Sequence, residues 1–418
     1  MCVSRKAVHM DRLDDGALKL RTGRSVWQAG TGEPHAHRVR EPQALTTDIV
    51  IIGAGITGAF LAERFTRMGR RVVLIDRRHP VAGSTAASTA LLLWELDAPL
   101  LEIEGRLGFE AARTIASVCR RAVMGIGGLI NDIGIDADFT LRSSLYLAGD
   151  RLDAHDLREE RRLREAMEIE TRFLDEGDLA QRGFVGEGAL ISPGAAEADP
   201  VKLARGLLGA AVQRGAIVLS SATASIYHAD LEGVRVETLE GDSISAGAMV
   251  LANGYEMPDF VPAARHELVS TWVLATAPVA ASVWSADAVV WEAADPYLYM
   301  RATADRRIIA GGEDGEFEDG DAREARTGEK VRTILTKLFA RCPALAGLRA
   351  EYVWSGVFGA TEDSLPMIGR LPGRPSSFAA FGYGGNGITF SAIAADVLAA
   401  ELEGRTHAGA ALFALDRD

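Results

Sequence analysis

The chain has 418 residues, 48% of them hydrophobic and 25% charged, and its formal net charge at pH 7 is −13. This length exceeds what one compact hydrophobic core serves, so length and composition together predict a globular protein of two domains. The excess of negative charge argues against a nucleic-acid-binding protein and against attachment to an anionic membrane surface.

The cysteines and the apolar runs restrict the class of protein further. Cys2, Cys119 and Cys342 are widely spaced, with no CxxC pair and no metal-ligand spacing. This pattern argues against a disulfide framework, predicts no bound metal and favours the reducing cytoplasm. The longest uncharged runs, residues 268–286 and 376–395, are interrupted by proline or by glycines, so they predict buried core and no membrane span.

The first 46 residues are polar, mixed in charge and without sustained periodicity. They are predicted to form an N-terminal arm, residues 1–46, that lies on the surface with Val26 and Trp27 as its anchor. A disordered arm is the alternative.

The segment from Thr47 to Arg77 has the pattern of a strand, a glycine turn, a helix and a second strand. Residues 49–52 are a short apolar run typical of a strand buried on both faces, and residues 72–75 repeat this pattern. Between them, apolar residues recur at helical spacing until Gly69 ends the helix.

The turn carries the spacing Gly53-x-Gly55-x-x-Gly58, and the second strand ends on Asp76. Gly53 permits the tight turn, Gly55 lets the backbone approach a pyrophosphate, and Gly58 lets the helix pack closely on the strand. The helix N-terminus offers free N–H groups to phosphates, and Asp76 is placed to accept hydrogen bonds from an adenosine ribose. This context favours a dinucleotide-binding site over an ordinary glycine-rich turn.

A loop of small and hydroxyl-bearing residues follows, at residues 83–90. Small residues let a chain pass close beside a flat ligand, and the loop directly follows the ribose-binding strand. We therefore favour ligand contact over a flexible surface loop. The next stretch, residues 91–101, places Trp94, Glu95 and Asp97 among apolar neighbours.

The middle of the chain predicts a second domain that is inserted in pieces. The periodicities predict a mainly helical stretch, a strand with four apolar residues on one face, a solvated helix, and an antiparallel sheet followed by a helix. The helical stretch is residues 102–135, and the strand is residues 139–147, with Phe139, Leu141, Leu145 and Leu147 inward. The solvated helix is residues 153–174. The strands of the antiparallel sheet are residues 289–292, 297–301 and 307–310, and the helix after them is residues 327–339.

Between these pieces the chain returns to the nucleotide-binding part. Residues 199–214 predict a helix, residues 215–219 a strand, and residues 248–251 a buried strand that ends at Ala-Asn-Gly. A buried strand stopped by glycine at its carboxyl end lies where ligands bind in open α/β sheets. Residues 355–369, by contrast, are predicted to form a loop.

Near the C-terminus a strand at residues 378–381 precedes a second GxGxxG spacing, formed by Gly382, Gly384 and Gly387, and a helix that runs to about residue 403. This second GxGxxG spacing would mark a second dinucleotide site if a strand and an acid followed the helix, but the chain stops too soon. We interpret it as a helix N-terminus aimed at another part of the same ligand. Free N–H groups there would stabilise the negative charge of a reduced flavin ring, which favours FAD over NAD.

Five motifs in this order resemble the D-amino-acid-oxidase-like (DAO) family of FAD enzymes. They are DIVIIGAGITG (48–58), GSTAAS (83–88), YLYMRATADRRIIAGGED (297–314), TEDSLPMIG (361–369) and GYGGNGITFS (382–391). The resemblance spans the chain from about Ser25 onward. It implies an α/β fold, α+β overall, with a Rossmann-like FAD-binding domain of the glutathione-reductase/p-hydroxybenzoate-hydroxylase type and an inserted antiparallel-sheet substrate domain. The FAD-binding domain would comprise residues 47–95, 190–260 and 346–418, and the substrate domain residues 96–189 and 261–345.

The resemblance also implies the residues that contact FAD. Together with the motif glycines Gly53, Gly55 and Gly58, they are Ile56, Thr57, Asp76, Arg77, Ser84, Thr85, Thr89, Ala90, Leu91, Gly356, Asn386, Gly387, Ile388 and Thr389. Sarcosine-oxidase-like members carry a flavin-linking cysteine where this chain has Gly356, and residues 84–89 contain no histidine. The expected FAD is therefore non-covalent.

The residues that bind a substrate carboxylate in this family are missing. The arginine of the glycine and D-amino-acid oxidases falls at Phe358, and the arginine and lysine of the sarcosine enzymes fall at Leu93 and Thr389. Arg142 or Arg301 would be the alternative anchor from another strand.

The predicted substrate contacts are instead acidic and aromatic: Trp94, Glu95, Asp97, Tyr299 and Phe358. Carboxylates beside an indole suit a cationic amine through ion pairing and cation–π contact. The alternative is that Glu95 and Asp97 are solvated or cap the helix that begins near residue 101.

The family mechanism implies an FAD-dependent oxidoreductase that oxidises a C–N bond of a small-molecule amine or amino acid. A hydride leaves the carbon next to nitrogen for flavin N5, and an imine results. This chemistry needs positioning and a neutral amine more than a strong protein base, so no catalytic acid or base is assigned. A flavin monooxygenase, which must accept NAD(P)H, and a flavin-binding protein without turnover are the alternatives, and the sequence leaves the oligomeric state open.

Overall fold

The computed structural model describes residues 18–29, 44–261, 266–281, 284, 287–317 and 319–417. Cys2 and much of the predicted N-terminal arm lie outside the described residues. The helices are α1 Val26–Ala29, α2 Ile56–Arg67, α3 Leu100–Leu107, α4 Phe109–Ile133, α5 Ala154–Ala166, α6 Glu176–Gln181, α7 Pro200–Gln213, α8 Gly320–Arg341 and α9 Gly387–Leu402. Short 3₁₀ helices occur at Ser84–Ala87 and Pro343–Leu345.

The strands form two sheets. They are β1 Arg21–Gly23, β2 Ala44–Ile52, β3 Val72–Asp76, β4 Leu91–Leu92, β5 Thr140–Leu147, β6 Arg172–Leu174, β7 Ala189–Glu197, β8 Ile217–Ser220, β9 Ala224–Ala229, β10 Val234–Thr238, β11 Ser243–Leu251, β12 His266–Pro278, β13 Ala288–Glu292, β14 Leu298–Ala302, β15 Arg307–Glu316, β16 Ala350–Thr361, β17 Met367–Arg370 and β18 Ser377–Phe381. No helix among the described residues is long and apolar enough to cross a membrane.

The smaller sheet is built around the predicted strand–turn–helix–strand unit. Its strands run in the order β17-β18-β11-β2-β3-β8, and β10 and β9 extend it from β11 as a meander. The five strands from β18 to β8 are parallel. Helix α2 crosses from β2 to β3 and contacts α7 and α9, so β2 and β3 are covered and their apolar runs are buried.

The larger sheet has ten strands, with β1-β16-β12-β15-β14-β13-β5-β7-β4 in order and β6 beside β7. All its strand pairs except β5–β13 are antiparallel. On β14, Leu298 and Met300 join an apolar cluster that includes Ile334 and Leu338 of α8. Because side chains alternate along a strand, Tyr299 points to the opposite face. This mixed α/β fold, with one mainly parallel and one mainly antiparallel sheet, confirms the predicted fold class.

Three predicted details differ from the structure. Residues 355–361, predicted as a loop, belong to β16, where hydrogen bonds to β12 on one side and to β1 on the other hold a glycine-containing segment extended. Leu141, predicted to point inward, is 51% exposed because β5 is buried only toward its end. Strands β7 and β16 lie in the larger sheet, although the predicted boundaries place them with the FAD-binding domain; those boundaries stay a prediction.

The described part of the N-terminal arm is held against the body of the protein. Strand β1 pairs with β16, and Trp27 is 7% exposed. The Trp27 indole Nε1 donates a hydrogen bond to the Ser88 carbonyl oxygen at 2.7 Å. Trp27 therefore anchors this segment beside the loop that precedes β4.

Candidate functional site

A cavity of about 480 Å³ lies between the two sheets. Its walls are the carboxyl ends of β2 and β3, the N-termini of α2 and α9, the loop at residues 83–91 and the inner face of the larger sheet. Both predicted glycine turns thus open into one cavity.

The first turn is held in shape by Asp76. Its Oδ2 accepts a hydrogen bond from the Ala54 N–H at 2.7 Å, and its Oδ1 accepts one from the Arg78 N–H at 2.8 Å. Burial raises the pKa of the Asp76 carboxyl, and these two backbone N–H groups oppose that shift. The predicted ribose-binding acid also joins the glycine turn to the end of β3.

Helix α2 begins at Ile56 without a side-chain cap, and the Ile56 N–H donates to Thr85 Oγ1 at 3.0 Å. The same bond pins the loop at residues 83–91 to the helix N-terminus. A Cβ atom at Gly58 would lie 1.9 Å from the Gly53 carbonyl oxygen. Gly58 itself does not line the cavity, and it serves the close helix packing predicted for it.

A residue that the sequence did not indicate closes this end of the cavity. Glu256 forms ion pairs with Arg78 at 2.6 Å and with Arg77 at 3.5 Å. Its carboxylate also accepts a hydrogen bond from the Leu18 N–H at 2.7 Å. The N-terminal segment is thereby tied to the nucleotide-binding end, which no local pattern around Glu256 signals.

The second turn is tied to the segment after β4. Asn386 Nδ2 donates to the Glu95 carbonyl oxygen at 3.0 Å, and Thr389 Oγ1 donates to the Leu93 carbonyl oxygen at 2.9 Å. Thr389 is 1% exposed, and its side chain serves this backbone contact. Its role as a cofactor contact stays a prediction.

Asp97 lies directly against the second turn. Its Oδ2 accepts a hydrogen bond from the Gly385 N–H at 2.8 Å. A Cβ atom at Gly384, where φ is +55°, would lie 2.1 Å from the same oxygen. The glycines therefore make room for a carboxylate, and burial raises the pKa of Asp97, opposed by the Gly385 N–H and the Arg151 charge.

The groups around the cavity fit FAD. Helices α2 and α9 both begin without a side-chain cap, and both present their N-termini to the cavity. Two further lining residues, Ser84 and Tyr383, carry buried hydroxyl oxygens without a hydrogen-bond partner among the described residues. Such groups suit an elongated ligand with a pyrophosphate at one end and a polar ring edge at the other.

The inner face of the larger sheet forms an aromatic wall. Tyr146 and Trp291 stack with their ring centroids 3.9 Å apart, and Tyr297 and Tyr299 lie beside each other with centroids 5.7 Å apart. A Cβ atom at Gly311 would lie 2.3 Å from the Tyr299 hydroxyl oxygen, so this glycine makes room for the ring.

Asp314, near the end of β15, is the acid on this wall. Its Oδ1 is buried and has no hydrogen-bond partner among the described residues. Burial raises the pKa of Asp314 to about 7; the hydroxyls of Thr271 and Tyr297 oppose this shift, and the Asp97 charge adds to it. Neither Asp314 nor Tyr297 was singled out from the sequence, although both lie in the 297–314 motif.

Glu95 and Trp94 are placed differently from the prediction. Glu95 is 3% exposed and its Oε1 pairs with Arg164 at 3.3 Å, while Arg164 Nε also donates to Glu160 at 3.0 Å. Trp94 is fully buried and does not line the cavity. The Arg164 guanidinium carbon lies over the Trp94 ring, 5.0 Å from the ring centroid. Glu95 is thus not solvated, and the role of Trp94 as a substrate contact stays a prediction.

The arginines that line the cavity are already paired. Arg77 and Arg78 pair with Glu256, and Arg151 pairs with Glu102 at 2.7 Å. The two arginines considered as alternative carboxylate anchors, which do not line the cavity, are also engaged: Arg301 donates to the carbonyl oxygens of Thr89 and Ala198 at 2.7 Å each, and Arg142 pairs with Glu197 at 2.9 Å.

Most residues predicted for the site line this one cavity. They are Gly53, Gly55, Ile56, Thr57, Asp76, Arg77, Ser84, Thr85, Thr89, Ala90, Leu91, Glu95, Asp97, Tyr299, Gly356, Phe358, Asn386, Gly387 and Ile388. Gly58, Trp94 and Thr389 do not. A role in ligand binding stays a prediction for all of these residues.

Comparisons with known proteins agree with this arrangement. The chain is 26% identical over 373 residues to γ-glutamylputrescine oxidoreductase of Escherichia coli, covering 87% of this chain and 85% of that protein. It is 24% identical over 369 residues to glycine oxidase of Geobacillus kaustophilus, covering 82% and 89%. The crystal structure of that glycine oxidase matches with a TM-score of 0.74 at 21% identity, over 90% of this chain and 99% of the other. L-Proline dehydrogenase from P. horikoshii matches with a TM-score of 0.75 at 19% identity, over 89% and 98%.

The family model described as DAO, FAD dependent oxidoreductase, matches residues 48–401. This range begins just before the first glycine turn and ends within α9, so it contains both helix N-termini that open into the cavity. The chain therefore belongs to the DAO family and is an FAD-dependent oxidoreductase.

Proposed function

We propose that this enzyme uses non-covalently bound FAD to oxidise a C–N bond of an amine that carries no carboxylate next to its amino group. Its relatives include, by their names, an oxidoreductase for γ-glutamylputrescine and an oxidase for glycine, so both amines and amino acids are within the range of this family. The choice between them rests on the charge of the cavity.

The charge balance of the cavity is the observation that carries the proposal. Seven lining residues bear carboxylates: Asp76, Glu95, Asp97, Glu256, Glu292, Asp295 and Asp314. Glu95, Glu256 and Glu292 are themselves paired with arginines, so the surplus of negative charge comes from the other four. The three lining guanidiniums are all paired with acids, as described above. A desolvated carboxylate without a positive partner costs several kcal/mol, so a substrate carboxylate is disfavoured here and a cationic substrate is favoured.

The residues around the cavity support non-covalent binding. Gly356 stands where a flavin-linking cysteine would be expected, and the lining residues described by the structure include neither cysteine nor histidine. Cys119 and Cys342 are buried elsewhere. The two residue types considered above for covalent flavin links are thus not among the described lining residues, which supports non-covalent binding.

When bound, FAD accepts a hydride from the carbon next to the substrate nitrogen. The N-terminus of α9, with Gly387 and Ile388, would stabilise negative charge on the bound flavin through its free N–H groups and its dipole. Phe358 and the aromatic wall exclude water and hold the substrate carbon in place. The substrate loses a hydride and a proton, and water then hydrolyses the resulting imine to a carbonyl compound and an amine.

The alternatives are less well supported. A monooxygenase must accept a reduced pyridine nucleotide, whereas two of the relatives are by their names a γ-glutamylputrescine oxidoreductase and a glycine oxidase. A protein that only binds flavin would not need the acidic and aromatic residues at the other end of the cavity. The cytoplasmic location also remains a proposal.

Anaerobic titration of the purified holoenzyme tests the function. Alkylamines, α-amino acids and NADPH are added separately while bleaching of the flavin absorbance is followed. We expect alkylamines to bleach the flavin faster than glycine, sarcosine or D-alanine, and NADPH to have no effect. Faster reduction by an α-amino acid, reduction by NADPH, or no reduction by any of these compounds contradicts the proposal.

A further inference from the structure

Two carboxylates converge at the aromatic end of the cavity from distant parts of the chain. Asp97 follows β4 and is held by the second glycine turn, while Asp314 comes from β15 in the larger sheet. Burial raises the pKa of the Tyr297 hydroxyl, and the negative charges of Asp314 and Asp97 raise it further. Both acids also line the one cavity, so they face the same bound ligand.

Asp314, and Glu95 two residues before Asp97, each have a carboxylate oxygen that the protein does not use. Asp314 Oδ1 is buried without a hydrogen-bond partner among the described residues. Two residues before Asp97, Glu95 is 3% exposed and lines the same cavity, and its Oε2 is likewise buried without a partner. Buried acceptors are normally satisfied, so two unused carboxylate oxygens facing one cavity indicate a ligand that donates hydrogen bonds.

The chemistry of this ligand follows from its surroundings. An ammonium group has three donors and no acceptor, and it is attracted both by carboxylates and by the faces of aromatic rings. Tyr297 and Tyr299 supply those rings next to Asp314. The positive charge of Lys330 on α8 opposes the raised pKa of Asp314. However, Lys330 Nζ donates a hydrogen bond to the Glu313 carbonyl oxygen at 2.7 Å, and Lys330 does not line the cavity.

The ammonium bound here is not the nitrogen that is oxidised. Hydride transfer requires a neutral amine, because a protonated nitrogen has no lone pair to stabilise the cation formed. Carboxylates stabilise the protonated form of an amine and raise its pKa. Acids around the reacting nitrogen would therefore oppose the reaction, whereas acids around a second nitrogen hold the substrate without this cost.

We propose that Asp97 and Asp314 bind a second, non-reacting ammonium group, so that the substrates of this enzyme are diamines or longer polyamines. This inference rests on the proposed oxidation of amines and specifies its substrate class. It replaces Trp94 with Tyr297 and Tyr299 as the aromatic partners of the cation.

Binding to the reduced holoenzyme tests the subsite without turnover. The flavin is reduced with dithionite, and alkanediamines of three to six carbons are compared by calorimetry with the monoamines of equal length. We expect diamines to bind at least tenfold more tightly, since charge-assisted hydrogen bonds contribute roughly 1.5 to 3 kcal/mol each. Equal affinities for diamine and monoamine overturn the inference.

Matched variants then assign the preference to the two acids. Asp314→Asn and, independently, Asp97→Asn are expected to weaken diamine binding about tenfold or more while monoamine binding changes less than twofold. Asp287→Asn is the control, because it removes the same charge from a side chain that is 98% exposed and outside the cavity. Melting temperature and FAD content are measured for each variant.

The outcomes separate the inference from the proposed function. If both amides keep the diamine preference, or weaken monoamines equally, the second-ammonium subsite is wrong even though alkylamines still reduce the flavin. If α-amino acids are the better reductants of the unaltered enzyme, the proposed function itself is wrong. Should one variant fail to fold, the other decides the result.

Discussion

Asp76 shows how one side chain serves both structure and binding. Its carboxylate accepts hydrogen bonds from Ala54 and Arg78, and it lines the nucleotide end of the cavity. Asp76→Ala is expected to weaken FAD binding by about 1.5 to 3 kcal/mol, the contribution of charge-assisted hydrogen bonds to a ribose.

Titration of the apoprotein with FAD, followed by fluorescence quenching, measures this loss. Asp48→Ala is the matched control, since Asp48 pairs with Arg71 at 2.7 Å at the other end of the same strand pair and does not line the cavity. Unchanged FAD affinity in Asp76→Ala would show that the end of β3 does not bind the ribose.

Asp314 makes binding in the acidic subsite depend on pH. Burial raises the pKa of this carboxyl to about 7, so it is protonated below that pH and charged above it. Alkylammonium groups stay charged in this range, since their pKa resembles that of lysine, about 10.4. The facing groups are Asp97 on its loop, Tyr297 next to β14, Thr271 on β12 and Lys330 on α8. Burial also raises the pKa of Asp97, so both acids gain negative charge as the pH rises.

The preference for diamine over monoamine is therefore expected to rise as the pH increases from about 6 to about 8. Calorimetry on the reduced holoenzyme at these pH values checks the direction. In Asp314→Asn the preference should be smaller and should depend less on pH. A preference that falls with rising pH in the unaltered enzyme would contradict this assignment.

At the scale of elements, the packing of α2 on β2 depends on the absence of one side chain. A Cβ atom at Gly58 would lie 1.9 Å from the Gly53 carbonyl oxygen, which is backbone and cannot turn aside. Gly58→Ala is expected to push α2 away from the turn and to destabilise the fold by about 1 to 3 kcal/mol. FAD binding should weaken with it, because the helix N-terminus shifts.

Gly209→Ala is the control for this prediction. Gly209 lies within helix α7, and nothing comes within 4 Å of a Cβ atom built there. Alanine at this position should stabilise the helix by about 0.5 to 1 kcal/mol. Chemical denaturation of both variants measures the difference, and an equal effect of the two substitutions would exclude the close contact as the cause.

The elements differ in how far their sequence predicted them. The strand–turn–helix–strand unit is local, and the apolar runs of β2 and β3 and the glycines between them signal it directly. Strand β16 was missed because its glycines weaken strand propensity, and only its pairing with β12 and β1 makes it extended.

The candidate site divides in the same way. The residues at the two helix N-termini were predicted, since the glycine spacings mark them. Asp314 meets Asp97 only because β15 pairs between β12 and β14, and Glu95 meets Arg164 only through α5. Contacts between residues that are far apart in sequence leave no periodic pattern, so the acidic subsite and the buried partner of Glu95 came from the structure alone.

At the scale of the whole molecule, the cavity lies between the two sheets, and FAD would contact both of them. Asp76 and α2 belong to the parallel sheet, whereas Gly356 and Phe358 lie on β16 of the antiparallel sheet. The N-terminal segment adds a third contact, since Leu18 is bonded to Glu256 at the nucleotide end. Bound cofactor should therefore stabilise the fold as a unit.

The last prediction concerns this linkage between cofactor and stability. A ligand that binds only the folded state stabilises it by RT ln(1 + [L]/Kd), about 2.7 kcal/mol when its free concentration is a hundred times Kd. The melting temperature of the apoprotein is thus expected to rise steadily with added FAD, whereas NAD at the same concentrations should have little effect. Acid precipitation of the holoenzyme should leave the yellow colour in the supernatant, because no cysteine or histidine lines the described cavity to hold the flavin covalently. Colour that stays in the pellet, or a melting temperature that does not respond to FAD, would mean that the cofactor is held in some other way than between these two sheets.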